Sequence, residues 1–226
     1  MKILLLATSL VFCLRAAAQT PTDAIMMKQR EFCAALIYDH GVFDQYYEGT
    51  DLRVNGTIET VTRTTALAML AIGLHDKLNL IVTVPYVKTE SGEPNGGHFN
   101  GARGFQDMSF ALKGELVNMQ VGPGKLAALA TLGYSTPMTN YLSDYMPYSL
   151  GFGANELSMR AIGQYRFDMG VYARATVSYL WRGQTKAERD YYYNNGSYYT
   201  AWMDVPNAWH VKRGWRCMAP SKLAQG

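Results

Sequence analysis

The chain has few cysteines, little charge and no long apolar stretch beyond its first residues. Of three cysteines, Cys13 falls in a leader-like start. That leaves Cys33 and Cys217, too few for a disulfide framework. Charged residues make up 17% of the 226, below the roughly 25% of a soluble domain. The net charge of +3 is mild and comes without a basic run, which argues against nucleic acid as a partner. Past the leader, no apolar run approaches the roughly 20 residues of a spanning helix. A mature chain in a membrane would have to cross it as strands. Helical periodicity is nowhere strong.

Chemical motifs are equally scarce. The four histidines, His40, His75, His98 and His210, are not at metal-ligand spacing, and there is no HExxH. No G-x-S-x-G occurs. The glycines of "SGEPNGGHFNGARG" (91–104) form neither a P-loop nor a dinucleotide fingerprint, and they read as an outer loop. No catalytic residue, metal ligand or cofactor site is expected. A triad assembled from separate strands stays open as an alternative, because triads are defined by geometry.

The start, "MKILLLATSLVFCLRAAAQT", has Lys2, an apolar run from Ile3 to Leu14, and small residues at Ala16 and Ala18. This pattern predicts a signal peptide over 1–18 and a mature chain from Gln19. A lipoprotein site at Cys13 is disfavoured by Phe12, which stands where a small residue is wanted.

Period-two alternation then recurs along the chain. Strands are expected at 31–39, 60–74, 78–89, 105–116, 125–136, 156–167 and 171–182, with a poorer one near 197–205. In "FQDMSFALKGEL" (105–116) one face carries Met108, Phe110, Leu112 and Leu116; the other carries Asp107, Ser109, Ala111, Lys113 and Glu115. The connections alternate between long and short, as the loops and turns of transmembrane barrels do. Aromatics gather near strand ends: Tyr38, Tyr86, Tyr134, Tyr165, Phe167, Tyr179 and Trp181. A soluble barrel would show the same alternation with its faces reversed. Loop asymmetry, ring placement and the leader favour the membrane form. A lysine in lipid at the midplane would cost about 2–4 kcal/mol, so Lys113 and Glu115 are expected to face inward.

Two motifs point to a family. "GLHDKLNLIVTVPYV" (73–87), followed by "GARGFQDMSFALKGEL" (101–116), resembles the outer-membrane transporter-like family named for the meta-pathway of phenol degradation. The resemblance runs from about Phe32 to about Asn207. It implies an outer-membrane barrel passing hydrophobic or aromatic compounds, and it carries over no catalytic residues. The end departs from that pattern, since "HVKRGWRCMAPSKLAQG" (210–226) loses alternation.

The expected organisation is therefore all-β. A signal peptide (1–18) precedes an up-and-down antiparallel outer-membrane β-barrel (19–209), C-terminally incomplete with about eight strands, and a non-barrel tail (210–226). Its expected partners are outer-membrane lipid, a small-molecule solute and the barrel-assembly machinery. The inward charges Asp107, Lys113, Glu115, Arg160, Arg166, Arg174 and Arg182 are the candidates for tuning passage. Two alternatives remain: an adhesive barrel using the tyrosine-rich segment 188–202, or a barrel enzyme acting on lipids.

Overall fold

The computed structural model describes residues 19–217, apart from 49, 57, 96–97, 144, 146, 187–191, 195–196 and 200–201. Among these residues all regular structure is β. Nine strands form one antiparallel sheet: β1 (Phe32–Phe43), β2 (Val61–His75), β3 (Leu78–Asn95), β4 (Phe99–Phe105), β5 (Asp107–Gln120), β6 (Gly124–Pro137), β7 (Glu156–Phe167), β8 (Val171–Arg182) and β9 (Ala208–Cys217). Eight of them lie side by side in chain order, and β4 pairs with the outer part of β3. The sheet curls strongly into a half-barrel. Its edges are β1 and β9, which do not pair with each other among the described residues.

Alternation explains how the sheet holds both an apolar and a polar surface. One row of directly opposed residues runs Phe32, Ile72, Leu80, Leu112, Leu132, Met159, Tyr179 and Trp209, crossing all eight long strands. It lies on the convex face, where Leu36, Leu132, Met159 and Val211 are also exposed. Stepping one residue along each strand reverses the chemistry. Asn79, Lys113, Thr131, Arg160, Ser178 and His210 form an opposed row on the concave face. Ring pairs sit toward the ends of the convex face: Tyr86–Phe105, Tyr179–Trp181 and Tyr179–Trp209 near the long connections, Tyr165–Phe167 near the short turns.

Seven expected strands appear with boundaries shifted by a few residues, and the expected alternation of short turns and long connections is present. Three expectations need correction. The eighth long strand is not at 197–205, where only short pieces, Ser197–Tyr199 and Trp202–Asp204, occur. It is β9, so the expected tail from 210 pairs with β8 as far as Cys217. Residues 218–226 lie outside the described set. The alternation of β9 is Trp209, Val211 and Trp215 against His210, Lys212 and Gly214, and Arg213 on the apolar side hides it. Segment 91–104 is less a loop than a hairpin extension of β3 and β4. Gly101 allows this close pairing, since a Cβ there would run into the Thr89 carbonyl.

Candidate functional site

Two non-strand segments fold onto the concave face, one from each end. The first, residues 19–31, enters beside the short turns. It is pinned at its base by Arg30 N–H to the Gly73 carbonyl (3.0 Å) and Gly73 N–H to the Glu31 carbonyl (2.8 Å). The Gln29 N–H donates to Asp76 (2.9 Å). From there the chain runs back along the sheet as a strap.

Asp23 shapes the strap. Its Oδ2 accepts from Thr20 N–H (2.5 Å) and Thr20 Oγ1 (2.8 Å), and its Oδ1 accepts from Ile25 N–H (2.9 Å). Short polar side chains commonly build turns by bonding nearby backbone in this way. The folded turn aims three acceptors at Lys113 Nζ: Asp23 Oδ1 (2.6 Å), the Ile25 carbonyl (2.8 Å) and the Thr20 carbonyl (3.0 Å). An ammonium has three donors, and all are used. The side chain of Lys113 is 0% exposed, a burial that only full pairing makes tolerable.

The rest of the polar row also holds the strap. Thr131 Oγ1 and Arg160 Nη1 both donate to the Pro21 carbonyl. Asn79, oriented to satisfy both amide atoms, donates to the Met27 carbonyl (3.0 Å) and accepts from Met27 N–H and Gln19 Nε2 (2.7 Å each). Met27 packs against the apolar cluster of Met69, Ala71, Ile81 and Ala111 beside this row.

The second segment, 138–155, folds in beside the long connections. Arg63 donates to the carbonyls of Ser149 (3.1 Å) and Leu150 (2.6 Å). Thr89 Oγ1 donates to the Tyr148 carbonyl (2.8 Å), and Tyr148 OH donates to Ser91 (2.8 Å). The ring of Tyr148 is buried against Phe99 and Tyr145. Tyr141 donates to Asp107 and accepts from Gly153 N–H (2.9 Å). Burial, and then the bond to Asp107, push the Tyr141 phenol well above its ordinary pKa, so it stays a neutral donor. Beside the strap lies a cavity of about 200 Å³, lined by Pro21, Thr22, Ser109, Ser158, Glu156 and Arg160 among others.

All seven inward candidates lie on concave-facing register positions, but they do not form one patch. Lys113 and Arg160 bind the strap. Arg182 bonds Glu156 (2.7 Å) at the long-connection end, and Asp107 binds Tyr141. Glu115 accepts from Asn118 (2.9 Å) beside a bulge that leaves Leu116 68% exposed on the convex side. Arg166 and Arg174 lie toward the short turns, ten and eight residue steps from Arg182. Sequence reasoning missed Asp23, Arg63, Tyr141 and Tyr148, all of which act outside the alternating pattern or across long sequence separations. Of the tyrosine-rich segment, 188–191, 195–196 and 200–201 lie outside the described residues. No protein-family model, curated protein or solved structure matches the chain.

Proposed function

We propose that the protein is an outer-membrane β-barrel channel that passes small solutes passively, with its concave face as the lumen wall and the strap as a plug. The reversed amphipathicity of the sheet carries this reading. An unbroken apolar row, five of its eight residues exposed, lies on the convex side, while a polar row holding a lysine and an arginine is turned inward. A soluble barrel buries its apolar face, whereas a transmembrane one exposes it to lipid and keeps a polar interior.

The dimensions agree. From Tyr134 to Gly124, opposite Phe167, the sheet runs ten residue steps. That is about 33 Å along the strand, or about 25 Å once tilted by roughly 40°. Rings flank this height at both ends, as interfacial belts require. The edges of β1 and β9 carry backbone groups that hydrocarbon does not tolerate open, so the proposed membrane form has both edges paired. The family resemblance at 73–87 and 101–116 points the same way.

Passage on this reading is limited by the two inserted segments. The strap narrows the short-turn end and segment 138–155 narrows the other. Planar-bilayer recording of the reconstituted chain tests it. Removal of residues 19–28 should raise conductance several-fold over the intact chain. Equal, vanishing conductance from both forms, with protein shown to be inserted, would remove the channel reading.

A further inference from the structure

The inward cations divide into two groups. Lys113 is matched by Asp23, and Arg182 by Glu156. Arg63 is matched by two carbonyls. Arg160 is matched by Ser178 and the Pro21 carbonyl. Toward the short turns the pattern changes. Among the described residues no carboxylate lies within ion-pair distance of Arg174 or Lys212. Arg174 instead sits over the ring of Tyr172, 5.7 Å from its centroid. Lys125 and Arg166 stand directly opposite each other on β6 and β7, a like-charge pairing that costs stability. Four cations thus share one stretch of wall.

Arg174 and Lys212 are also brought to one place. Lys212 on β9 is opposite Thr176, and Arg174 is two residues from Thr176 on β8, which makes the two cations diagonal neighbours. Together with Tyr172, Thr176, Gly214 and Trp215 they line a recess of about 230 Å³. No strap residue lines it. The recess offers a planar guanidinium, an ammonium, a hydroxyl and the Tyr172 ring, with no bound carboxylate to neutralise them. A guanidinium fork matches a carboxylate in two hydrogen bonds, and rings accept the body of an apolar or aromatic acid.

We infer that the recess formed by Tyr172, Arg174, Thr176 and Lys212 is a binding site for small organic carboxylates. This rests on the concave face being the lumen, and it makes the solute an anion rather than a neutral hydrophobe. The basic wall draws the anion to the short-turn mouth, and Arg174 with Lys212 holds it there.

The test measures binding of benzoate to the full chain refolded in detergent micelles, with benzyl alcohol as its neutral counterpart. Benzoate should bind more tightly than benzyl alcohol by about tenfold or more, the worth of one charge-assisted hydrogen bond. Arg174→Gln and Lys212→Gln should each lose most of that preference, while Lys88→Gln, at an exposed site paired with Glu90, keeps it. Amide exchange in β7 and β8 serves as the folding check. Lys212 is exposed on the edge strand, so K212Q remains informative if R174Q fails to fold. Equal binding of the two probes, or wild-type benzoate binding in folded K212Q and R174Q, would overturn the inference. Proteoliposomes separate this from the channel reading. Binding without passage of either probe removes the channel and leaves the site; equal passage of both probes without preferential binding removes the site and leaves the channel.

Discussion

Thr131 and Arg160 face each other across β6 and β7 and donate to the same oxygen, the carbonyl of Pro21, at 3.2 and 3.3 Å. A strand pair in the sheet thus grips backbone rather than side chain, so the grip constrains where the strap runs more than which residue is there. The side-chain requirement falls on Asp23, and the first prediction concerns it.

Asp23→Ala strips Lys113 of its only ionic partner among the described residues and loosens the turn that presents two carbonyls. Breaking a buried pair from one side costs about 3–5 kcal/mol. Urea denaturation in micelles should show a loss of that order. Adding Lys113→Met to Asp23→Ala should recover most of it, because the uncompensated charge goes too. Equal losses in the single and double variants would mean that the charge is not what matters.

Thiol accessibility distinguishes the faces. In a background without Cys33 and Cys217, Leu132→Cys should be shielded from a water-soluble reagent by lipid, and Lys212→Cys should label. Lys113→Cys should also be shielded, though by the strap. Deleting residues 19–28 should expose position 113 and leave 132 unchanged. Labelling at 132 in membranes would place the convex face in water.

Gly73→Ala should dislodge the strap without altering the sheet. A Cβ at position 73 would run into the Lys28 carbonyl of the strap. The expected outcome is faster labelling of Lys113→Cys with unchanged amide protection in β5 to β8. Loss of protection across those strands would show that Gly73 serves the sheet itself.

Tyr148→Ala tests the other insert. Removing a buried aromatic costs about 3–5 kcal/mol where the surroundings do not collapse. Here the loss should stay local, because Tyr148 anchors segment 138–155 and not the strand ladder. Limited proteolysis should cut within 138–155 in the variant and spare it in the parent. Global unfolding in denaturant at a much lower midpoint would contradict the local role.

The strands were legible because alternation is a local signal. Leu112 and Lys113 disclose their faces from their neighbours alone. The bulge at Leu116 does not disturb this, because it shifts register only after Glu115. β9 was harder, since one arginine at 213 breaks the apolar side and short sequences offer few other positions to judge by. The strap was not legible at all. "TPTDA" (20–24) has no period, and its decisive bond joins residues 90 apart in sequence. Alternation gives Lys113 the face opposite to Leu112, but its partner follows from turn geometry at Asp23 that no spacing rule captures.

The strap has a consequence for the order of events. It is the earliest described part of the chain, yet its acceptors meet donors on β3, β5, β6 and β7. Those donors converge only when the four strands already stand side by side. Docking of Asp23 on Lys113 is therefore late by construction, and it reports that the middle of the sheet has formed. A β5 paired out of register by one residue would turn Leu112 toward Asp23 and leave it without a cation. The seated strap distinguishes a correctly registered sheet from a slipped one.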